Sequence, residues 1–307
     1  MRKNGRPSRP GSSAIGGARA MRRCARAAGR LLVLGGAWAC LALPSAADPA
    51  KESQIELPRL EGPSDLAATT FDPEGRAVGR SRFSIERLAE GLHKFKVELG
   101  IDGGGHNRSE VTLAPVSAQP PPHAEARDAE AAHAETAGGL RIVEERSQST
   151  RADGTHLDLL VIDHVAGRAS CIPADGDPAK ARHVDLPDQD RVVNVPMQLL
   201  FQPLVKGAVD EVRFQIVLCT GGPRLQDMIA VRGPRIRRGG REIVEIRYGP
   251  DFGSTVAFFA SRVLPSFSFW FDAKDGAYLG HRMPLHTKGP EVLLVRSGLT
   301  PKDLGLE

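Results

Sequence analysis

The sequence predicts a mainly β fold: a curved antiparallel sheet or partly open β-barrel with one short capping helix. Two observations favour it. Short apolar segments follow one another from residue 140 to residue 296, with Gly-containing turns between most of them. Helices do not alternate with these segments, as they would in an α/β protein. Closely spaced strands of this kind form antiparallel meanders in barrels or sandwiches.

The first 47 residues have the parts of a secretory signal peptide. Arginines cluster from Arg22 to Arg30, an apolar run of 13 residues extends from Leu31 to Leu43, and small residues end at Ala47. A membrane-spanning helix needs about 20 apolar residues. We therefore predict a signal peptide over residues 1–47, cleaved near Ala47, and no transmembrane segment afterwards. Met21 is the alternative start of translation.

The predicted location is the periplasm, because this leader is cleaved rather than retained. A lipoprotein anchored at Cys40 is the minority interpretation. It is disfavoured because Trp38 stands where lipoprotein signals prefer a small residue.

Charge excludes nucleic acid as a partner. Nine of the 41 basic residues and none of the 37 acidic residues lie in residues 1–47. The rest of the chain therefore has 32 basic and 37 acidic residues, a net charge of −5. A phosphate-binding surface for nucleic acid needs clustered positive charge on the folded part.

Two of the four cysteines stay with the chain after cleavage. Cys24 and Cys40 lie in the leader, whereas Cys171 and Cys219 lie in the domain. An even number of cysteines in an oxidising compartment makes a disulfide between them the first hypothesis. Two buried free thiols are the alternative.

Residues 48–70 are polar and punctuated by prolines, which predicts an extended N-terminal arm. The β-rich domain is predicted over residues 71–307 and begins with a hairpin that turns at Glu90-Gly91. Apolar and charged residues alternate from Phe95 to Leu99, as in a strand with one solvated face. Residues 117–139, in which Ala is the only apolar residue type, predict a flexible insertion.

Nine further segments are candidate strands. They are Leu140–Ser147, His156–Val165, Glu211–Leu218, Leu225–Val231, Glu242–Tyr248, Val256–Arg262, Ser266–Asp272, Ala277–His286 and Glu291–Arg296. One segment differs, because residues 192–205 are apolar with Pro196 and Pro203 near its ends. This pattern suits a short helix that caps the sheet.

No catalytic, metal-binding or cofactor-binding motif stands out. The nearest to a metal site is the set His156, Asp158 and His164. On one strand, His156 and His164 would lie about 26 Å apart, too far to share an ion. We therefore predict no catalytic residue, no metal and no cofactor, and favour a protein that is not an enzyme. The alternative is a hydrolase whose catalytic triad assembles only in space.

Two groups of side chains are candidates for ligand or partner contact. Four arginines surround Gly239-Gly240, and at a hairpin tip they would meet an anionic headgroup or glycan phosphate; a solvated charged turn is the alternative interpretation. Trp270 lies on the strand face opposite a row of phenylalanines, where it would line a groove or interface. The candidates are Arg235, Arg237, Arg238, Arg241, Phe267, Phe269, Phe271 and Trp270.

Residues 190–297 resemble a family of exported Gram-negative bacterial proteins catalogued as a domain of unknown function. The resemblance rests on Pro203-Leu204 followed by Gly207, on the strand Phe269-Trp270-Phe271, and on the Pro-containing and apolar strands up to residue 297. It implies a curved antiparallel sheet or partly open barrel in the periplasm, without catalytic residues to carry over.

The functional hypothesis is non-catalytic binding of a lipid, a glycan or another apolar envelope component in the concavity of the sheet. Its motivation is the aromatic-rich strand around Trp270 together with the absence of a site motif. The alternatives are an envelope scaffold or protein-interaction module and the hydrolase with a spatial triad.

Overall fold

The computed structural model describes Leu57 and residues 65–116, 139–251, 267–285 and 289–306. The leader, most of the predicted insertion and the candidate strand Val256–Arg262 lie outside the described residues. The strands are β1 (Asp65–Phe71), β2 (Ala77–Arg87), β3 (His93–Gly100), β4 (His106–Pro115), β5 (Leu140–Thr150), β6 (Leu159–Asp163), β7 (Arg168–Ile172), β8 (Arg182–Asp185), β9 (Glu211–Leu218), β10 (Arg224–Arg238), β11 (Arg241–Pro250), β12 (Phe267–Asp272), β13 (Tyr278–Pro284) and β14 (Glu291–Arg296).

These strands form one antiparallel sheet in the order β8-β7-β6-β5-β4-β3-β2-β1-β14-β13-β12-β11-β10-β9. Strands that are consecutive in sequence are neighbours in the sheet except β8 and β9, and the sheet is continuous because β1 pairs with β14. The strands β8 and β9 are its two edges, so the sheet is not closed by a ladder. The prediction of a mainly β, partly open barrel-like fold is confirmed.

Side-chain alternation explains why the strands hold their register. In β3 the side chains of Phe95, Val97 and Leu99 are buried in the interior, while the intervening charged residues face outward. The predicted hairpin turn lies between β2 and β3, where Glu90 and Gly91 take positive φ angles of 59° and 75°. A one-residue slip would move every apolar side chain to the outer face.

Two parts of the sheet differ from the sequence-based expectation. Residues 65–70, which were assigned to the N-terminal arm, form most of β1 in the middle of the sheet. Small side chains such as Ala68 and Thr70 are buried there, and such residues give little apolar alternation to read. The edge hairpin of β7 and β8 is not among the candidate strands either; β7 is only five residues long, and none of the side chains of β8 is buried.

The interior of the sheet is filled by the predicted capping helix. It consists of two short turns, α1 (Met197–Leu200) and α2 (Gln202–Lys206), joined at Phe201. Phe201 is fully buried, and its ring lies 5.3 Å from that of Phe269 and 5.5 Å from that of Tyr248. The concavity is therefore packed with side chains of the chain itself.

The C-terminal segment covers part of the outer face. A 3-10 helix, Pro301–Leu304, follows β14, and Leu304 packs with Trp270, Leu279 and Leu293 in an apolar cluster separate from the interior. Gly280 permits the approach, since a Cβ there would lie 2.5 Å from the carbonyl oxygen of Leu294 and 3.0 Å from a methyl of Leu304.

Candidate functional site

The arginine-rich turn is the tip of the hairpin of β10 and β11. Arg238 and Arg241 are opposite each other in register, and Gly239 and Gly240 take φ angles of 51° and 78° between them. Glycine adopts such angles without steric cost. We call Arg235, Arg237, Arg238 and Arg241 the arginine hairpin.

Two of these arginines point into solvent without a partner. Arg235 and Arg237 are exposed, and no residue that the structure describes forms an ion pair or hydrogen bond with either. Glu242 is the cross-strand neighbour of Arg237, yet no ion pair joins them. Their guanidinium groups are therefore free to bind an anion.

The other two arginines contact the rest of the domain. Arg241 Nη1 lies 3.6 Å from Asp272 Oδ2. Arg238 packs against Gly305, where a Cβ would lie 2.7 Å from Arg238 Cδ. Hydrogen bonds from Thr300 hold the pKa of Asp303 below its usual range, and the charge of Arg241 adds a smaller effect. The C-terminal segment thus orders the tip of the arginine hairpin, where a Cβ on Gly239 would lie 3.2 Å from the carbonyl oxygen of Asp303.

The aromatic candidates are packed inside the domain. Phe269 and Phe271 lie in the interior with Phe267 against its edge. Trp270 faces outward, as its position in the strand predicts, but it is only 3% exposed beneath Leu304. Trp270 packs against Leu304 of the C-terminal segment. Its role in binding a ligand or partner stays a prediction.

Sequence reasoning missed a polar cluster where the two edges of the sheet face each other. Residues 189–195 lie between β5, β6 and the edge strand β9, and we call this segment with its contacts the seam. The Val193 amide donates to the Gln215 carbonyl at 2.8 Å. The Asn194 side chain donates to the Val217 carbonyl at 2.9 Å and accepts from the Val217 amide at 2.8 Å. These bonds replace a strand ladder.

A buried carboxylate holds the other side of the seam. Glu145 of β5 is 2% exposed and accepts from the Val195 amide at 2.6 Å and the Asn194 amide at 3.1 Å. Its Oε1 lies 3.1 Å from His164 Nε2, and His164 Nδ1 lies 3.1 Å from the Gln189 carbonyl oxygen. Burial raises the pKa of Glu145, with the bond to His164 acting in the opposite direction.

A disulfide also joins the two sides of the seam. Cys171 lies in β7 and Cys219 directly follows β9, and their Sγ atoms are 2.02 Å apart. The bond spans 48 residues of sequence, so it connects elements near the two opposite edges of the sheet.

A second buried histidine lies among the aromatic side chains of the interior. Tyr278 Oη lies 2.6 Å from His281 Nδ1, and the His281 ring stacks on Phe269 at 4.6 Å. Burial lowers the pKa of His281 to about 3 and raises that of Tyr278. His281 is therefore neutral at ordinary pH, and its Nε2 has no hydrogen-bond partner among the described residues.

The remaining polar groups do not assemble a catalytic centre in the described ranges. Ser170 Oγ lies 2.8 Å from His183 Nδ1, but this pair is exposed on the edge hairpin, and no described carboxylate bonds to His183. A cleft of about 440 Å³ beside the C-terminal segment mixes acidic and basic side chains, among them Asp72 and Arg282. Among the residues that the structure describes, no group of three potential ligands is placed to hold a metal ion.

The fold and its surface define a β-barrel-like protein with a filled interior and an exposed basic hairpin. None of the helices in the described ranges has the length and apolar character to span a bilayer. No protein-family model matches the chain, and no curated protein is similar to it in sequence.

Two solved structures are similar in fold. One is a β-barrel-like protein of a domain of unknown function, DUF1849, from Brucella abortus, with a TM-score of 0.37 and 8% identity over 81% of this chain and 98% of that chain. The other is the hypothetical lipoprotein YmcC from Escherichia coli, with a TM-score of 0.28 and 10% identity over 79% and 91%. The resemblance to Gram-negative proteins of unknown function is confirmed at this coarse level. At these TM-scores neither likeness carries an inference about the site.

Proposed function

We propose that this chain is an exported periplasmic protein that binds phosphate-bearing headgroups of an envelope lipid or glycan, without catalysis, through the arginine hairpin. The exposed and unpaired guanidinium groups of Arg235 and Arg237 carry the proposal. Guanidinium groups match phosphate geometry with two parallel hydrogen bonds. They lie beside the tip of the hairpin, where Arg238 and Gly239 contact the C-terminal segment and Arg241 lies 3.6 Å from Asp272 of β12.

Packing favours this surface over the concavity. Phe201 and Leu204 of the two short helical turns are fully buried in the interior and occupy part of the concavity. The aromatic row at Phe267–Phe271 with Trp270 is the alternative contact. The buried Phe269 and Phe271 would have to be uncovered on the side of α1 and α2, and Trp270 on the side of Leu304.

Two observations support export. The first is the signal-peptide pattern of residues 1–47. The second is the Cys171–Cys219 disulfide, because disulfides persist mainly in oxidising compartments such as the periplasm. Expression of the full chain in a Gram-negative host tests this step. We expect the protein in the periplasm, with a mass that corresponds to a chain beginning at Asp48. Cytosolic protein that retains its leader would refute it.

Vesicle binding tests the arginine hairpin. Vesicles of phosphatidylglycerol, whose headgroup is anionic, should bind the exported protein. Vesicles of phosphatidylcholine, in which the choline cation neutralises the phosphate, should not. Each cationic side chain at an anionic surface contributes about fivefold in affinity, so Arg235→Gln with Arg237→Gln should weaken binding about 25-fold. The matched control is Arg82→Gln with Arg108→Gln, which removes two exposed arginines that are paired with Asp65 and Glu98.

The control separates a specific surface from net charge. Equal losses in the two double variants, or equal binding to both kinds of vesicle, would overturn the lipid proposal. A phosphate-bearing oligosaccharide from lipopolysaccharide forms the second arm. Binding to this oligosaccharide, lost in the Arg235/Arg237 variant and without vesicle binding, would identify a glycan as the source of the phosphate.

A further inference from the structure

The arginines of the hairpin lie on two different faces of the sheet. In the pairing of β10 with β11, Arg235 is opposite Val244, and Arg237 lies two residues further along β10. Directly opposed residues of an antiparallel pair share a face, as do residues two apart on one strand. Because Val244 belongs to the interior core, Arg235 and Arg237 point to the side of the interior, in solvent beyond its packed part. Arg238 lies on the outer face with the C-terminal segment.

A β-bulge places a third arginine on the same face. Arg232 is opposite Ile246, which also belongs to the interior core, and the register shifts between Arg232 and Arg235. Residues three apart on a regular strand point to opposite faces, so the extra residue of the bulge returns Arg235 to the face of Arg232. Gly233 suits the bulge, because a Cβ there would lie 3.0 Å from the carbonyl oxygen of Glu245. We call Arg232, Arg235 and Arg237 the inner arginine row.

The guanidinium group of Arg232 has no counter-ion among the residues that the structure describes. It lies beside Gly207 at the end of α2, where a Cβ would be 3.7 Å from its Cζ atom, and its buried Nε forms no hydrogen bond. The backbone carbonyl of Asp210 accepts from the Arg232 amide at 3.1 Å, and Glu242 is opposite Arg237. Neither carboxylate forms an ion pair with the inner arginine row. A half-buried charge without a counter-ion costs free energy, and a bound anion would offset this cost.

We infer that the inner arginine row binds two phosphate groups of one ligand, so that the protein selects headgroups with two phosphates over headgroups with one. The inference rests on the proposed function of Arg235 and Arg237, to which it adds Arg232. The opposed residues of β11 place the backbone of Arg232 about 7 Å from that of Arg235 and about 13 Å from that of Arg237. Three unpaired guanidinium groups carry more positive charge than one phosphate group neutralises, since a phosphate monoester carries at most about two negative charges.

Calorimetric titration of the whole exported protein with phosphate esters tests the inference without any variant. Glucose 1,6-bisphosphate, which carries phosphates at two ends of one sugar, should bind at least about tenfold more tightly than glucose 6-phosphate. This factor is the lower end of what one hydrogen bond to a charged group contributes.

Vesicles form the lipid arm of the same test. Vesicles of cardiolipin, with two phosphates in each headgroup, should bind more tightly than vesicles of phosphatidylglycerol at equal total phosphate. A preference for two phosphates in the sugar arm alone identifies a glycan as the source of the phosphates, and a preference in the vesicle arm identifies a lipid.

Substitution of Arg232 separates the second phosphate from the first. Arg232→Gln should weaken binding of glucose 1,6-bisphosphate at least about tenfold and leave binding of glucose 6-phosphate unchanged. Arg247→Gln is the matched control, because Arg247 lies on the outer face of the same hairpin, between the interior residues Ile246 and Tyr248, and binds Glu245 at 2.8 Å. This control removes the same charge and should keep the wild-type ratio of the two affinities.

The outcomes separate this inference from the proposed function. Equal affinities for compounds with one and with two phosphates in both arms, with binding to phosphatidylglycerol intact, would overturn the two-phosphate inference alone. A wild-type ratio in Arg232→Gln would do the same. Absence of binding to any of these probes would overturn the proposed function as well.

Discussion

Across β2, β3 and β4 many outward side chains are charged and exposed, whereas across β12, β13 and β14 a cluster of outward side chains around Trp270 is apolar and covered. In the first region cations and anions alternate between strands, as in the pairs Arg108–Glu98 at 2.7 Å and Lys96–Glu86 at 2.7 Å. In the second region Trp270 packs beneath the C-terminal segment.

The difference shows two solutions to the same geometric problem. A curved sheet has one face turned to the interior and another that must meet either water or protein. Charged cross-strand pairs suit water and need no cover. An apolar outer face would be an exposed patch, and here the last turn of the chain covers it.

The largest effect should come from Trp270. Trp270→Ala removes the centre of the outer cluster and leaves a cavity, so the free energy of unfolding in urea should fall by about 3–5 kcal/mol. Circular dichroism can follow the transition, since the substitution removes the fluorophore. Trp270→Phe should lose clearly less. A loss below about 1 kcal/mol for the Ala variant would mean that the outer cluster contributes no more than a surface contact.

A substitution at Leu304 should reduce the free energy of unfolding less than one at Trp270, and tryptophan fluorescence gives a second measurement. Leu304→Ala thins the cover over Trp270 and should cost about 2–3 kcal/mol. Trp270 is the one tryptophan outside residues 1–47, so in a protein that lacks those residues its emission should shift to longer wavelength as water reaches it. Val165→Ala is the control, since Val165 is 71% exposed and should change neither quantity. An unshifted emission in the Leu304 variant would contradict the covering role.

The two regions also differ in how much of their structure the local sequence pattern predicts. Period-two alternation from Phe95 to Leu99 correctly predicts a strand and its solvated face. The same parity correctly places Trp270 outward. The packing of the C-terminal segment over Trp270 could not be predicted from the sequence. Leu304 and Leu306 lie in a short segment without periodicity, so nothing in the sequence indicates what they contact.

The contacts of the seam could not be predicted from the local sequence pattern for a related reason. Glu145 is one of three consecutive charged residues in β5 and looks like an ordinary surface glutamate in sequence. Its partners His164 and Asn194 lie 19 and 49 residues away. Glu145 is buried because the curvature of the whole sheet brings β5 towards β9.

The smallest effect should come from the charged region, and it sharpens the contrast most directly. The side chains of Arg108 and Glu98 are 67% and 52% exposed, so solvent screens their attraction and the pair orders two flexible side chains at an entropic cost. Arg108→Gln should therefore reduce the free energy of unfolding by less than about a third of the loss at Trp270, since exposed ion pairs contribute about 1 kcal/mol or less. The small loss should shrink further in high salt, because screening weakens the pair still more. A loss comparable to that of Leu304→Ala would mean that the charged ladder stabilises the sheet as strongly as the covered apolar face does.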